Sequence, residues 1–465
     1  MYKDRQKKDY ILLKAAGKKV AAVSLGCAKN RIDTEEILGL LASLGFVLTD
    51  DHRLADIVLV NTCSFIDPAK KESINTLRDL AAHKSNKTTK IIAAGCLVET
   101  FGINILKCIP NIDGAIGVHS YSHIEKFIKI ILNGKRAVLM KPPGESYHSL
   151  FSRILTTPAH SVNVKIAEGC SNFCHYCLIP KIRGHYRSRR PDDIIAEIKY
   201  LLENGTREIN LIAQDTTAFG SDLEDRPGLS GLIKRILELK HNFWLRIMYT
   251  YPSRIDDSLI ELMAKERRIC KYLDVPIQHA NNEILTNMDR SYGKEELKKL
   301  FLKLRKKVPN IAIRTTCMVG YPGEKRGQFD ELLDFIEDYP FERLGAFAYS
   351  AQKGTIAGNA HNQLPQRIIK RRFSELMKKQ QQISYRFNLD MIGKRLVLVV
   401  DKALNRGENW YYGRSEYQAP EVDGGVLFRS DIPLKQGDWV SAEICAASPY
   451  NLLATKPLLL QELPT

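Results

Sequence analysis

The sequence lacks any continuous run of about twenty apolar residues, which is the length that a transmembrane helix needs. Its basic first twenty residues also lack the apolar segment of a secretory signal peptide, so we expect a cytoplasmic protein with no membrane span. Ten cysteines are few for a chain of 465 residues, which argues against a small disulfide scaffold. We therefore expect no disulfides, and expect the cysteines to be metal ligands or buried core residues.

Acidic residues are outnumbered, because the chain has 69 Lys and Arg against 53 Asp and Glu and a formal net charge of +16. Such a balance suits an acidic partner such as nucleic acid or a ribonucleoprotein, although a basic surface also serves solubility. Residues 391–465 are the exception, since they hold 8 basic and 9 acidic residues and leave +17 to the first 390. The C-terminal segment is therefore not predicted to be a basic RNA-binding module.

Three cysteines stand close together at Cys170, Cys174 and Cys177, in a C-x3-C-x2-C spacing. A 4Fe–4S cluster has four irons and is usually held by four thiolates, so three ligands leave one iron open to a substrate. Zinc is the alternative, but structural zinc sites close four ligands, and no second cysteine pair follows here. The triple resembles the radical S-adenosylmethionine (SAM) superfamily, in which the amine and carboxylate of SAM chelate the open iron.

Apolar runs typical of strands alternate with helical patterns from residue 20 to about residue 133, which predicts a parallel α/β sheet. A cysteine follows each of three such runs, and the carboxyl ends of parallel strands are where ligands bind. Any one of these cysteines alone would more often be a small buried residue, but the repeated placement favours a second cluster with three protein ligands. The three are Cys27, Cys63 and Cys96, whereas Cys108, Cys270, Cys317 and Cys445 share no pattern and are expected in the core.

Six further strand-like runs alternate with helices beyond a Pro- and Gly-bearing linker at residues 141–158. Six β/α units are too few for a closed eight-fold barrel. They fit the open partial barrel that the superfamily resemblance implies, with the cluster loop after the first strand, where Cys170 stands. The runs are Val162–Ala167, Glu208–Ala213, Trp244–Met248, Tyr272–Val275, Ile311–Thr316 and Leu344–Tyr349.

The same resemblance implies residues that contact SAM. Tyr176 occupies the position of an aromatic side chain near the adenine, although simple core packing is the alternative. Gly320 and Gly323 lie in a motif that resembles the superfamily's adenine-contacting glycine motif. His175 and His279 are not assigned a role, because a lone histidine is more often structural. In this chemistry the reduced cluster passes one electron to SAM, which releases methionine and a 5′-deoxyadenosyl radical.

Short strand-like runs separated by Gly- or Pro-containing turns follow residue 391, and they predict a small five-stranded antiparallel barrel of the OB type. In related enzymes such a barrel holds an RNA or a protein substrate. The predicted domains are thus an α/β domain at residues 18–134, a radical SAM domain at 156–390 and a small β-barrel at 391–460.

The segment Ser24–Asn30, with Asp33 and Glu35, is similar to the signature of the methylthiotransferase family, and so are Asn61–Cys63 and Gly95–Cys96. The family resemblance implies that Cys27, Cys63 and Cys96 hold an auxiliary 4Fe–4S cluster, and that the terminal barrel is a TRAM domain. It also implies that two SAM molecules are used, one to methylate a sulfur delivered through the auxiliary cluster and one to make the carbon radical. The net reaction replaces C–H by C–SCH3.

Several motifs resemble the RimO branch of this family, which modifies the β-carbon of an aspartate in ribosomal protein S-twelve. That branch implies S-twelve or the small ribosomal subunit as the partner, and a flavodoxin or ferredoxin is a plausible electron donor. Two alternatives stay open: the same chemistry on isopentenylated adenosine in transfer RNA, and an iron–sulfur electron carrier or sensor without a substrate. The motifs are Ser24–Cys27, Phe65–Ala69, Ile179–Gly184, Ala213–Thr217, Tyr249–Pro252, Gln278–His279 and Gln418–Asp423.

The near-neutral terminal barrel independently favours a protein substrate, because a basic ribosomal protein would be met by acidic side chains. For each side chain taken singly, a solvated loop charge is an equally good interpretation. The candidates are Glu416, Glu421, Asp423, Asp431 and Asp438.

Overall fold

The structure, a computed structural model, describes residues 17–84, 88–144, 153–404 and 409–463. Most of the basic N-terminal segment and part of the expected linker at 141–158 lie outside the described residues. No helix in the described ranges is both long and apolar enough to cross a membrane. The chain forms two compact units, the first from residues 17–156, 168–172 and 177–189, and the second from 157–167, 173–176 and residue 190 onward.

The first unit is built on a six-stranded sheet in which every neighbouring pair of strands is parallel. The elements are β1 (Lys19–Ser24), α1 (Ala28–Ser43), β2 (Val47–Leu48), β3 (Ile57–Thr62), α2 (Asp67–Ala82), β4 (Lys90–Gly95), α3 (Cys96–Phe101), α4 (Ile105–Cys108), β5 (Gly114–Ile116), α5 (Ile124–Leu132) and β6 (Ala137–Leu139).

The strand order is β2-β1-β3-β4-β5-β6, so the three strands predicted from the sequence lie side by side. Both faces of the sheet are buried, because alternate residues of β3 and β4 enter two separate apolar cores. Leu59 and Ile92 face one core, while Val58 and Ile91 face the other. This burial on two faces explains why these strands read as continuous apolar runs rather than alternating ones.

Strands and helices alternate again from residue 161 to residue 389. The elements are β7 (Ser161–Lys165), β8 (Ala167–Glu168), α6 (Ile179–Arg183), β9 (Arg187–Ser188), α7 (Pro191–Glu203), β10 (Glu208–Ile212), α8 (Gly228–Leu237), β11 (Trp244–Ile247), α9 (Asp257–Lys265), β12 (Ile269–Asp274), α10 (Asn282–Asn287), α11 (Lys294–Lys307), β13 (Ala312–Val319), α12 (Arg326–Asp338), β14 (Arg343–Ala348) and α13 (Gln366–Leu389).

Six of these strands form the parallel sheet of the second unit, in the order β14-β13-β12-β11-β10-β7. The order follows the chain and the sheet does not close on itself, which confirms the expected open arrangement of six β/α units. The loop that carries Cys170, Cys174 and Cys177 runs from β8 to α6, shortly after the first strand of this sheet.

The remaining strands close into a five-stranded barrel in the order β15-β16-β17-β19-β18, which confirms the expected small C-terminal β-barrel. The barrel is not wholly antiparallel, because β17 and β19 pair in parallel. Strand directions cannot alternate all the way around a ring with an odd number of members, so closure of five strands requires such a pair. The strands are β15 (Arg395–Ala403), β16 (Trp410–Arg414), β17 (Val426–Arg429), β18 (Trp439–Ala447) and β19 (Leu452–Leu460).

Within the second unit, the end of β16 and the segment that follows it contact the parallel sheet. The Arg414 guanidinium donates to the Glu208 carboxylate on β10 at 2.7 Å, and the Tyr272 hydroxyl on β12 donates to Asp423 at 2.7 Å. The Glu416 carboxylate accepts the backbone N–H of Lys271 at 2.8 Å. Two of the five acidic residues expected to meet a substrate, Glu416 and Asp423, are therefore already engaged inside the unit, and that expectation is wrong for them.

Candidate active site

The N-terminal cysteines lie at the carboxyl edge of neighbouring strands. Cys27 precedes the first residue of α1, Cys63 directly follows β3, and Cys96 is the first residue of α3 after β4. The approach is close enough that a Cβ atom on Gly26, which has φ +88°, would lie 2.7 Å from the Cys63 Cβ. Only glycine tolerates both that φ and that contact, so its position in the motif has a local physical reason.

Two of these thiols are buried and the third faces solvent. Cys63 is 8% exposed and Cys96 is 6% exposed, whereas Cys27 is exposed. Burial raises the pKa of the Cys63 thiol, and it raises that of Cys96 to about 12 against the opposing positive charge of Arg183. Cys96 is close enough to Cys27 and Cys63 for all three thiols to interact electrostatically. Such buried thiols become thiolates only with a positive centre, and a metal supplies one.

Arg183, the last residue of α6, lies against this site within the first unit. Its Nη2 lies 2.8 Å from the Asp33 carboxylate, 2.5 Å from the Asn30 Oδ1 and 3.6 Å from the Cys96 Sγ. Its Nη1 lies 2.9 Å from both oxygens of Glu168. Burial opposes a charged guanidinium, yet the two carboxylates hold its pKa well above the ordinary value. The side chain is therefore an arginine cation fixed by four partners.

The cysteines of the C-x3-C-x2-C loop also receive N–H groups at sulfur. Cys170 and Cys174 are buried and Cys177 is half-buried. The backbone N–H of Ile179 donates to the Cys177 Sγ at 3.4 Å, and the Arg290 guanidinium donates to the Cys174 Sγ at 3.4 Å. Hydrogen bonds of this kind stabilise thiolate ligands and tune iron–sulfur clusters. The donor set therefore fits a thiolate-bound cluster in both places.

In the described ranges, no group of three or more His, Cys, Asp or Glu side chains is placed to hold a single metal ion. A 4Fe–4S cluster makes a different demand, because it takes its thiolates on separate irons.

The cysteines expected in the core divide into two kinds. Cys270 and Cys317 are completely buried, as predicted. Cys108 and Cys445 are exposed, so the prediction is wrong for them. Cys445 alternates with the buried Ile444 along β18, and the period of two that defines a strand turns it outward. Cys108 ends the short helix α4, where the chain turns at the surface.

Tyr176 lies in the second unit and packs against a buried apolar group that contains Met318 and Tyr321. These two residues stand two places before and one place after Gly320, so the structure brings the aromatic side chain to the glycine motif. Packing on an apolar surface is what the core interpretation of Tyr176 requires as well. A role of Tyr176 in binding SAM stays a prediction.

The glycine motif after β13 has a backbone that favours glycine. Gly320 has φ +79° and Gly323 has φ +78°, and a Cβ atom on Gly320 would lie 2.6 Å from Ile369. The Glu324 carboxylate accepts the N–H groups of Gly320 at 2.7 Å and Tyr321 at 3.3 Å, which fixes the turn. The turn is thus a rigid element against which a flat ligand could lie.

The two histidines left without a role are held by structural contacts. The His279 Nδ1 accepts the N–H of Asn281 at 3.0 Å, and burial lowers the pKa of the ring to about 3. The His175 Nδ1 lies 2.9 Å from the carbonyl oxygen of Asn287. His279 is therefore neutral at physiological pH, with Nδ1 as a hydrogen-bond acceptor.

Sequence patterns did not single out Arg183 or Arg290 as partners of cysteine sulfur. Arg183 lies 153 residues from Asn30 along the chain, and Arg290 lies 116 residues from Cys174. The only local signal was that Arg183 stands in the segment Ile179–Gly184 that immediately follows the cysteine triple. Without the fold, an arginine at this position would be interpreted as an ordinary surface residue.

Comparison with known families covers the chain in three parts. The uncharacterised protein family UPF0004 matches residues 19–117, the radical SAM superfamily matches residues 164–336, and the TRAM domain matches residues 392–456.

Curated relatives match nearly the whole chain. The ribosomal protein uS12 methylthiotransferase RimO of Pelotomaculum thermopropionicum is 42% identical over 94% of this chain and 98% of its own length. The enzyme of the same name from Desulforamulus reducens is 43% identical over 93% of this chain and 98% of its own length.

Among solved structures, the radical S-adenosylmethionine methyltransferase TsrM from Kitasatospora setae matches with a TM-score of 0.55 and 14% identity. The match covers 74% of this chain and 77% of that one, and at this identity it speaks for the fold alone.

Proposed function

The chain belongs to the RimO family of radical SAM methylthiotransferases, and from that membership we propose that it modifies ribosomal protein S-twelve (uS12). The proposed reaction replaces a hydrogen on the β-carbon of an aspartate with a methylthio group. The observation that carries the proposal is identity of 42% and 43% to two RimO enzymes over more than nine-tenths of the chain. Similarity that continues through all three matched regions supports the same substrate, and not only the same fold.

Two sets of cysteines would hold the cofactors. Cys170, Cys174 and Cys177 would hold the cluster that binds SAM, and Cys27, Cys63 and Cys96 would hold the auxiliary cluster. The N–H groups that face the sulfur atoms of Cys96, Cys174 and Cys177 support these assignments. When bound, the clusters and two SAM molecules supply the electron that cleaves SAM, the sulfur and the methyl group.

The protein's own side chains would bind and orient SAM, and they would limit access of water. Cys170 and Cys174 are each buried, which limits the contact of their sulfur atoms with water. Tyr176 and the turn fixed by Glu324 offer an aromatic face and a rigid backbone, on which the adenine of SAM would be oriented.

The terminal barrel is the proposed site for the protein substrate. Glu421 and Asp431 are exposed. Of the two, Asp431 is the side chain that we expect to meet the basic surface of a ribosomal protein. Asp438 instead accepts the backbone N–H of Lys435 at 2.7 Å, which gives it a structural role in its turn. Complementary charge is therefore a smaller part of substrate binding than the sequence suggested.

The test is anaerobic and offers two substrates side by side. The purified protein is reconstituted with iron and sulfide, reduced, and given SAM together with either an S-twelve loop peptide or isopentenylated transfer RNA. Mass spectrometry then measures the gain of one methylthio group. We expect the gain on the peptide aspartate, and 5′-deoxyadenosine and S-adenosylhomocysteine as the products of SAM.

The alternatives give different results. A gain on transfer RNA alone would keep the chemistry and overturn the proposed substrate. Absence of both SAM products from the reduced, fully loaded protein would instead indicate an electron carrier or sensor. The transfer RNA reaction is a necessary control, because the basic first 390 residues could bind RNA non-specifically. Binding alone would add no mass to the RNA, so the measurement separates binding from modification.

A further inference from the structure

Within the first unit, Arg183 contacts both the N-terminal sheet and the segment that precedes Cys170. It stands six residues after Cys177, and its partner Glu168 stands two residues before Cys170. Its other partners, Asn30, Asp33 and Cys96, come from the N-terminal sheet, and all these residues belong to the first unit. One side chain thus connects the segments that flank the radical cysteines to a ligand of the auxiliary site.

The guanidinium is fixed so that one of its N–H groups faces sulfur. Two carboxylates and one amide oxygen hold the planar fork at distances of 2.5–2.9 Å, while the Cys96 Sγ lies 3.6 Å from Nη2. The side chain of Arg183 is 2% exposed, so this cation is not screened by water. An N–H group held in this way is a preorganised donor to a thiolate.

Two carboxylates lie beside this donor. Asp33 and Glu168 are both within 2.9 Å of the guanidinium, so two carboxylates share this one positive charge. Removing the cation would leave more negative charge beside the Cys96 sulfur, which would make reduction of a cluster bound there less favourable. Removing one carboxylate charge would do the opposite, because it would leave more of the positive charge facing the sulfur.

We propose that Arg183 is a positioning residue for the auxiliary cluster, which directs an N–H group at the Cys96 thiolate and ties that ligand to the segments flanking the radical cysteines. This inference rests on the proposed function, because it takes Cys27, Cys63 and Cys96 to be cluster ligands. It assigns Arg183 two measurable roles, retention of the cluster and control of the potential at which the cluster is reduced.

The experiment isolates the auxiliary cluster in the full-length chain. Cys170, Cys174 and Cys177 are all replaced by alanine, so that any cluster formed after anaerobic reconstitution belongs to the other site. Iron and sulfide per chain, the rate of iron loss to a chelator and the midpoint potential are then measured with Arg183, Arg183→Gln and Arg183→Lys. Arg153→Gln is the matched control, since its guanidinium is also buried and lies 3.5 Å from the Glu35 carboxylate on α1.

We expect Arg183→Gln to lose iron on the order of ten times faster or more, as is typical when a residue supporting a metal ligand is removed. Its midpoint potential should move to a lower value, because the positive charge is gone. Arg183→Lys should bring the midpoint potential close to that of the protein with Arg183, because an ammonium keeps the positive charge. It should restore iron retention less fully, because an ammonium lacks the planar fork. Arg153→Gln should keep both values.

A second variant, Glu168→Gln, gives the proposal a test of sign that does not depend on Arg183→Gln folding. It removes one negative charge and keeps the guanidinium, so its midpoint potential should rise while that of Arg183→Gln falls. Equal potentials in all these variants, with only their melting temperatures lowered, would reduce Arg183 to a structural residue and overturn the proposal. If the parent with three alanines binds no cluster at all, the assignment of the auxiliary site fails instead.

Discussion

At the scale of single residues, the cysteines show what a sequence reveals and what it hides. Spacing alone predicted Cys170, Cys174 and Cys177 as ligands, and the repeated position after a strand predicted the other set, because both signals can be read from the sequence without the fold. Spacing could not place Cys445 on the outer face of its strand. Nor could it find Arg183, whose partner Asn30 is 153 residues away. Chemistry that depends on distant contacts needs the fold.

Replacing Cys63 by alanine tests whether a buried cysteine beside a strand is a ligand or a core residue. We expect Cys63→Ala to lose about half of the bound iron, because one of two clusters would lack a thiolate. It should still release 5′-deoxyadenosine when reduced with SAM, since Cys170, Cys174 and Cys177 are untouched. Iron analysis and chromatography of the SAM products measure both.

Cys270→Ala is the control for this change, because Cys270 is completely buried on β12 and burial raises its pKa to about 12 in the same way. It should keep all its iron. Equal iron contents in Cys63→Ala and the unchanged protein would support the core interpretation of Cys63 and remove the auxiliary cluster from the mechanism.

At the scale of elements, periodicity predicted the long strands and missed the short ones. β2, β5 and β6 hold only two or three residues each, and so few positions carry no period. The parallel pair in the barrel was also beyond the pattern, since it follows from ring closure and not from the residues of β17 or β19. The turn that contains Gly320 was predicted as a motif, and the structure supplies the reason for its glycines in their positive φ angles.

Gly320→Ala tests this turn as a binding element. A side chain at φ +79° is strained by about 1–3 kcal/mol, and its Cβ would collide with Ile369, so the turn must shift. If the turn orients SAM, affinity for SAM should fall on the order of tenfold, which titration calorimetry of the reconstituted protein measures.

Gly327→Ala is matched to it, because Gly327 lies in α12 and a Cβ there would meet nothing within 4 Å. This control should bind SAM normally and keep the helix, because alanine is a better helix former than glycine. Unchanged SAM affinity in Gly320→Ala would mean that the turn is only a structural feature of the sheet.

At the scale of the whole molecule, the second unit contains buried ion pairs between residues that are far apart in the sequence. Glu208 on β10 lies 2.9 Å from Arg246 and 2.7 Å from Arg414, and Arg414 also reaches Asp401 on β15. Glu208 and Arg414 are 206 residues apart. The sequence predicted a sheet and a barrel, but it could not predict the ion pairs that join them. A single arginine and a single glutamate in distant strands carry no sequence signal that they pair.

Asp401 makes this joint sensitive to acid. Burial alone would raise its pKa, but hydrogen bonds from His160 and Arg414 outweigh burial and hold the pKa below the ordinary value. A carboxylate whose pKa is depressed in the folded state stabilises the protein above its unfolded pKa of about 3.9, and this stabilisation is lost as the pH falls through the folded value. Asp401→Asn should therefore cost about 1.5–3 kcal/mol at neutral pH, the range for hydrogen bonds to charged groups, and the difference from the unchanged protein should shrink below about pH 4.

Intrinsic fluorescence is a suitable readout, because all three tryptophans lie in the second unit and Trp244 on the sheet meets Trp439 on the barrel at 4.6 Å. Denaturant unfolding followed by this signal at a series of pH values gives the two stability curves. Asp431→Asn, an exposed change on the same barrel, should follow the curve of the unchanged protein. The prediction fails if the difference in free energy of unfolding between Asp401→Asn and the unchanged protein stays constant from neutral pH to about pH 3. Protonation of Asp401 would then not be what destabilises the contact between sheet and barrel in acid.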